Sequence, residues 1–109
     1  MRQLWLGLAL ALSQLPSLAV AEVEEFTLTI RDHRFEPTEL VIPADRKVKL
    51  NVVNADPTPE EFESQELNRE KVIPGNTTGK IFVGPLGAGT YPFFGDFNPQ
   101  TAQGTLVVK

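Results

Sequence analysis

The sequence contains no cysteine, a single histidine (His33) and no methionine beyond Met1. Without cysteine there is no disulfide framework, no thiolate for a soft metal ion, and no lipid-attachment residue behind an export signal. With one histidine, no Gly-x-Ser-x-Gly elbow and no phosphate-cradling glycine loop, there is neither a nucleophile with its base nor a nucleotide site. A carboxylate pair such as Glu61 and Glu63 has the chemistry of a glycosidase dyad, but so short a chain leaves little room for a sugar cleft. The expectation is a protein that is not an enzyme.

Long apolar runs are equally scarce. The run "LWLGLALAL", residues 4–12, follows the basic Arg2 and is soon broken by Ser13, Gln14, Pro16 and Ser17, which leaves it short of the roughly 20 residues of a membrane span. With Ala19-Val20-Ala21 before Glu22 it reads as a secretory signal peptide, residues 1–21, releasing one domain, residues 22–109. The released protein is expected to be periplasmic and not membrane-inserted. Removing Arg2 from the 10 basic residues leaves 9 against 14 acidic ones, a balance of −5. That balance argues against nucleic acid as a partner and favours cations or basic protein faces.

What is present has a period of 2. Phe26, Leu28 and Ile30 alternate with threonines, and Val48, Leu50 and Val52 alternate with Lys47, Lys49 and Asn51. Leu40 and Ile42, Ile81 to Val83, Tyr91 and Phe93, and Leu106 and Val108 continue the series, separated by turn signals such as "PADR", "NADPTP" and "GPLGAG". Half-buried strands with frequent turns and no helical stretch predict an all-β antiparallel sandwich. The phase slips between Ile30 and Phe35, which predicts a bulge or turn at Arg31-Asp32 and aims His33 the same way as Phe35.

The segment "DPTPEEFESQELNRE", Asp56 to Glu70, carries five glutamates around Phe62. On a strand Glu60 shares the face of Phe62, while Glu61 and Glu63 share the other. If Phe62 is core, Glu60 points inward and needs a partner, because a buried unpaired carboxylate is costly. His33, Arg34, Arg69, Lys71 and a metal ion are the candidates. Glu61, Glu63 and Glu66, taken singly, read as a solvated acidic face.

"HRFEPTELVIPADRKVKLNVVNAD", then "PEEF", then "GTYPFFGDFNPQTAQGTLVV" resemble the cupredoxin family in order and spacing. Within it, "EEFES" and "YPFFGDF" resemble the small periplasmic cupredoxin-like domains associated with bacterial iron uptake. The resemblance implies a Greek-key β-sandwich with a metal pocket at one end. It sets the usual ligand positions, two histidines, a cysteine and a methionine, on Glu60, Asn98, Gly95 and Ala102, so every type 1 copper ligand is replaced. An intensely coloured thiolate copper centre is therefore excluded.

Two readings of the loop "YPFFGDFNPQTAQG", Tyr91 to Gly104, stay open: a retained turn, or the wall of an oxygen-rich pocket. In the second, the resemblance brings His33 beside Glu60, and the expected metal ligands are His33, Glu60, Glu63 and Asp96, a set suited to Cu(II) or an iron ion. The implied function is a periplasmic metal-binding accessory of iron uptake, meeting a membrane iron permease or another periplasmic iron-uptake protein. The alternative is a metal-free interaction module that docks through its acidic edge.

Overall fold

The computed structural model describes residues 22–109. The expected signal peptide lies outside the described residues, and among those described no helix is long and apolar enough to cross a membrane. Among the described residues nine strands follow one another: β1 (Glu24–Arg31), β2 (Arg34–Glu36), β3 (Glu39–Ile42), β4 (Val48–Asn54), β5 (Glu60–Ser64), β6 (Arg69–Ile73), β7 (Thr78–Val83), β8 (Gly89–Gly95) and β9 (Gln103–Val108). Burial alternates residue by residue along β4, β5 and β7, as the period-2 pattern predicts.

The strands form two sheets, ordered β2-β1-β4-β7 and β3-β9-β8-β5-β6. Their inward faces supply the core, with Leu28, Leu50, Val52, Ile73 and Leu106 fully buried. Phe35, Phe62 and Phe93 meet across the sandwich, with ring centroids 4.9 Å apart for Phe35 and Phe93 and 5.1 Å for Phe62 and Phe93. Edge-to-face and offset contacts of this kind add to the burial of the rings themselves. The sandwich is all-β as expected, but its sheets are mixed, because β1 pairs with β4, and β3 with β9, in parallel. Apolar alternation reports which face is buried and carries no information on strand direction, so the sequence pattern could not distinguish the two.

The phase slip is a two-residue hairpin turn. Asp32 and His33 both adopt positive φ, 53° and 58°, which matches a type I′ connection. Ile30 and Phe35 become cross-strand partners and so share the core face. His33 therefore stands at the turn and not in a strand beside Phe35; its side chain is 47% exposed.

A buried polar hub fixes this end of the sandwich. The side-chain amide of Asn54 donates to the carbonyls of Thr58 and Ile73, and its oxygen accepts from the backbone N–H of Asp56. Asp56, itself buried, accepts the backbone N–H groups of Asp32 at 2.8 Å and His33 at 2.9 Å. Its carbonyl takes the N–H of Asn76. Asp56 thus joins the β1–β2 turn, through its carboxylate, and the β6–β7 connection, through its main-chain carbonyl, to the β4–β5 connection. Burial alone would raise the Asp56 pKa, but the His33 and Asp32 N–H groups, with the charges of His33 and Arg31, outweigh it and hold the carboxyl below its ordinary value.

Asp56→Ala strands two N–H groups and should destabilise the protein by about 2 kcal/mol at neutral pH in urea titration. Because the folded-state pKa is lowered, this contribution is complete above the unfolded value of about 3.9 and is lost as pH falls through the folded value. Wild type and variant should therefore converge in acid; equal stabilities at neutral pH would remove the role.

Candidate functional site

Glu60 opens β5 on the same face as Phe62 and is 1% exposed. Its carboxylate finds its partners in the loop that follows β8. Oε1 accepts the backbone N–H of Phe97 at 2.8 Å and that of Glu61 at 3.0 Å, while Oε2 accepts the side-chain amide of Asn98 at 2.8 Å. None of His33, Arg34, Arg69 and Lys71 is a partner. The loop closes on itself through Gly95 N–H to the Ala102 carbonyl and Ala102 N–H to the Asn98 carbonyl, both 2.8 Å. Asp96 N–H ties it to the Glu61 carbonyl.

Gly95 leaves room for this arrangement. A Cβ there would lie 2.5 Å from Glu60 Cδ and 2.8 Å from the Ala102 methyl, closer than real side chains approach. Sequence reasoning aimed Glu60 inward correctly but missed that the loop supplies its partners. The available signal was Asn98, the one amide side chain between Gly95 and Pro99.

His33 borders the outer side of the same loop, lining a shallow cleft of about 350 Å³ with Phe97, Asn98 and Pro99. Its Nδ1 lies 3.6 Å from Asp56 Oδ2. Glu60 and His33 thus flank one loop, with both Glu60 oxygens already engaged.

Glu63 and Asp96 lie on the other side of the five-stranded sheet. Glu61 and Glu63 alternate away from the core, and antiparallel pairing with β6 sets Glu63 opposite Glu70. One ligand oxygen from each of Glu61, Glu63 and Glu70 can be chosen so that all lie within 4.8 Å of one another. Burial, then the charges of Glu70, Glu63 and Asp96 and a hydrogen bond with Asp96, raise the Glu61 pKa. Burial, then Asp96 and Glu70, raise that of Glu63. Among the described residues, the ion pairs of this chain involve none of these four carboxylates.

The sequence reading therefore placed together residues that the structure divides, His33 and Glu60 at the loop and Glu63 and Asp96 on the outer sheet face. Glu70, absent from the expected ligand set, is brought opposite Glu63 by the β5–β6 register. The hairpin around Asn68, a positive-φ residue at 55°, was the signal for that register.

The sequence profile of the family described as "Cupredoxin-like domain" matches residues 3–108. The chain belongs to this family. An uncharacterized protein of Rickettsia prowazekii (strain Madrid E) is 44% identical over 85 residues, covering 78% of this chain and 68% of that protein. Among solved structures, the metal-binding domain of the Streptococcus pneumoniae Cu(I)-exporting P-type ATPase CopA, determined with Cu(I), superposes with a TM-score of 0.71 at 15% identity, over 84% of this chain and 92% of that one. Auracyanin A, a blue copper protein of Chloroflexus aurantiacus, gives 0.68 at 15% identity, over 81% and 100%. Both show the fold alone.

In this cupredoxin-like chain the four positions that the family frame gives to copper ligands do come together. Asn98 bonds Glu60, and the Gly95 backbone packs against Glu60 and Ala102. They do not fit copper of type 1: there is no thiolate, imidazole or thioether among them, and a carboxylate fills the space between. The buried anion is held by three N–H donors, an arrangement that would reject neither the loop nor the fold but leaves no soft donor for a metal.

Glu60→Gln keeps the shape and turns an N–H toward an N–H, so it should cost about 2 kcal/mol in chemical denaturation. Gly95→Ala forces the carboxylate to move and should cost on the order of 1–3 kcal/mol. Wild-type stability in both variants would show that the carboxylate does not organise the loop.

Proposed function

We propose that the chain is an exported, cupredoxin-like accessory protein that holds or hands over a hard metal ion, iron or Cu(II), on its acidic sheet face in the service of iron uptake. The observation that carries this reading is the convergence of Glu61, Glu63 and Glu70, whose ligand oxygens lie within 4.8 Å of one another beside Asp96. A cation would relieve the mutual repulsion that raises the Glu61 and Glu63 pKa values. An all-oxygen set is too hard for Cu(I) and selects hard cations in general, so the choice of iron or Cu(II) among them rests on the family resemblance. Copper in the auracyanin A and CopA structures supports a metal-related role for the fold. Export rests on the pattern of residues 1–21, and iron uptake on the resemblance carried by "EEFES" and "YPFFGDF". In this proposal Glu63 is taken over from the expected ligand set with Asp96 as its neighbour, and Glu61 and Glu70 replace His33 and Glu60.

The second reading, a metal-free module docking through the acidic face onto a basic face of a permease or periplasmic protein, is favoured by Glu60, whose two oxygens at the family's ligand end are both taken by N–H donors. Titration calorimetry with Cu(II) and with Fe(II) under anaerobic conditions separates the two. Glu63→Gln and Glu70→Gln should each weaken binding by about tenfold or more, as loss of one carboxylate ligand implies, while His33→Ala leaves it unchanged. Protons compete for carboxylates whose pKa is raised, so affinity should begin to fall at a pH above the ordinary glutamate value of about 4.3. Equal affinities across all variants would remove the site and leave the docking module.

A further inference from the structure

The edge where β6 and β7 meet separates charges of opposite sign. Glu61, Glu63 and Glu70 occupy the outer face of the five-stranded sheet on one flank. On the other flank, Lys80 and Phe82 of β7 pair with Asn51 and Lys49 on the outer face of the four-stranded sheet, where Lys49 is already paired with Glu25 and Lys80 and Lys47 carry the positive charge. The ring of Phe82, 42% exposed, carries the Lys47 ammonium 4.9 Å from its centroid. Between the flanks, Arg69, Lys71 and Lys80 line a cleft of about 340 Å³ with Ile81 and Phe82, and Glu70 stands at its acidic rim. Arg69 spends its donors on the carbonyls of Phe82 and Asn68. Among the described residues, neither these three cations nor the three glutamates enter an ion pair. Val72, 49% exposed, sits opposite Glu61 on the acidic flank.

A patch that is acidic on one side of an edge and basic on the other is self-complementary under one particular symmetry. A two-fold axis parallel to the strands turns the second molecule over, so the outer acidic sheet of one copy continues onto the outer basic sheet of the other, twice. A two-fold perpendicular to the sheets instead abuts acid with acid and base with base, which is repulsive. Direct antiparallel pairing of two β6 strands in the sheet plane is a two-fold of this second kind and again sets acidic face beside acidic face; centred on residue 70 or 71 it also opposes Glu70 to Glu70 or Lys71 to Lys71. The first arrangement covers the exposed Val72 and Phe82 as well.

We propose that the β6–β7 edge is an isologous docking surface for a second copy of this chain, with the two-fold axis along the strands. Such an interface closes at two copies. Its core is two small apolar contacts and its affinity is dominated by rim charges, so it is reversible and salt-sensitive.

Sedimentation velocity on the exported protein in EDTA, which keeps metal out of the measurement, tests it. At low salt the protein should pass from monomer to dimer with rising concentration and go no further. Near 1 M salt, where screening acts beyond about 3 Å, the dissociation constant should rise by about tenfold or more. The double variants Lys71→Glu/Lys80→Glu and Glu61→Lys/Glu63→Lys should each remain monomeric, yet form a dimer when mixed, since both reciprocal contacts are restored. Circular dichroism confirms that each is folded. A protein monomeric at every concentration, a dimer untouched by the charge swaps, a mixture that does not associate, or species growing beyond two copies would each overturn the proposal.

Discussion

The pocket end of this sandwich depends on one buried carboxylate. Glu60 accepts two backbone N–H groups and one side-chain amide, and the last two of these come from the loop between β8 and β9. An anion surrounded by N–H donors in a water-poor site is a strong organiser, because charge-assisted hydrogen bonds there are worth more than neutral ones. The substitution of Gly at position 95 and Ala at 102 is the steric half of the same solution, since larger side chains would occupy the carboxylate's space. Where the cupredoxin frame ordinarily draws loop and strand together through donors to a cation, this chain draws them together through donors to an anion.

That exchange moves the chemistry of the surface elsewhere. Among the described residues, carboxylates outside the ion pairs gather on the outer face of β5 and β6, and cations outside them gather at the β6–β7 edge. A sandwich has two outer faces that sense each other weakly, so opposite charge can accumulate on each without mutual neutralisation. Here the separation is sharpened by β6, whose residues alternate between the acidic face and the open edge, as Glu70 and Lys71 do. The metal binding proposed for the acidic flank and the self-association proposed across the edge would draw on the same glutamates, which would couple the two by competition.

Much of the fold was legible because burial imposes a period of 2 on half-buried strands, and β4, β5 and β7 follow it residue by residue. The Ile30-to-Phe35 slip announced a turn, but only the positive φ of both Asp32 and His33 places it and removes His33 from the strand. The parallel pairing of β1 with β4 left no trace in the sequence, since a strand buries the same face whichever way its neighbour runs. Glu60 was legible as inward through its phase with Phe62. Its partners were not, because two of them are backbone N–H groups, which every residue type offers. Glu70 was missed for a different reason: its meeting with Glu63 depends on hairpin register, set by the Gln65–Asn68 turn and the positive φ of Asn68.

Amide hydrogen exchange of the loop, measured on metal-free protein and again with excess Cu(II), tests the central claim most directly. If the Glu60 carboxylate orders the loop, the amides of Phe97 and Ala102 are strongly protected in the metal-free protein, Cu(II) adds nothing, and Glu60→Ala abolishes the protection. Loop amides that exchange freely without metal and become protected when Cu(II) is added would contradict it.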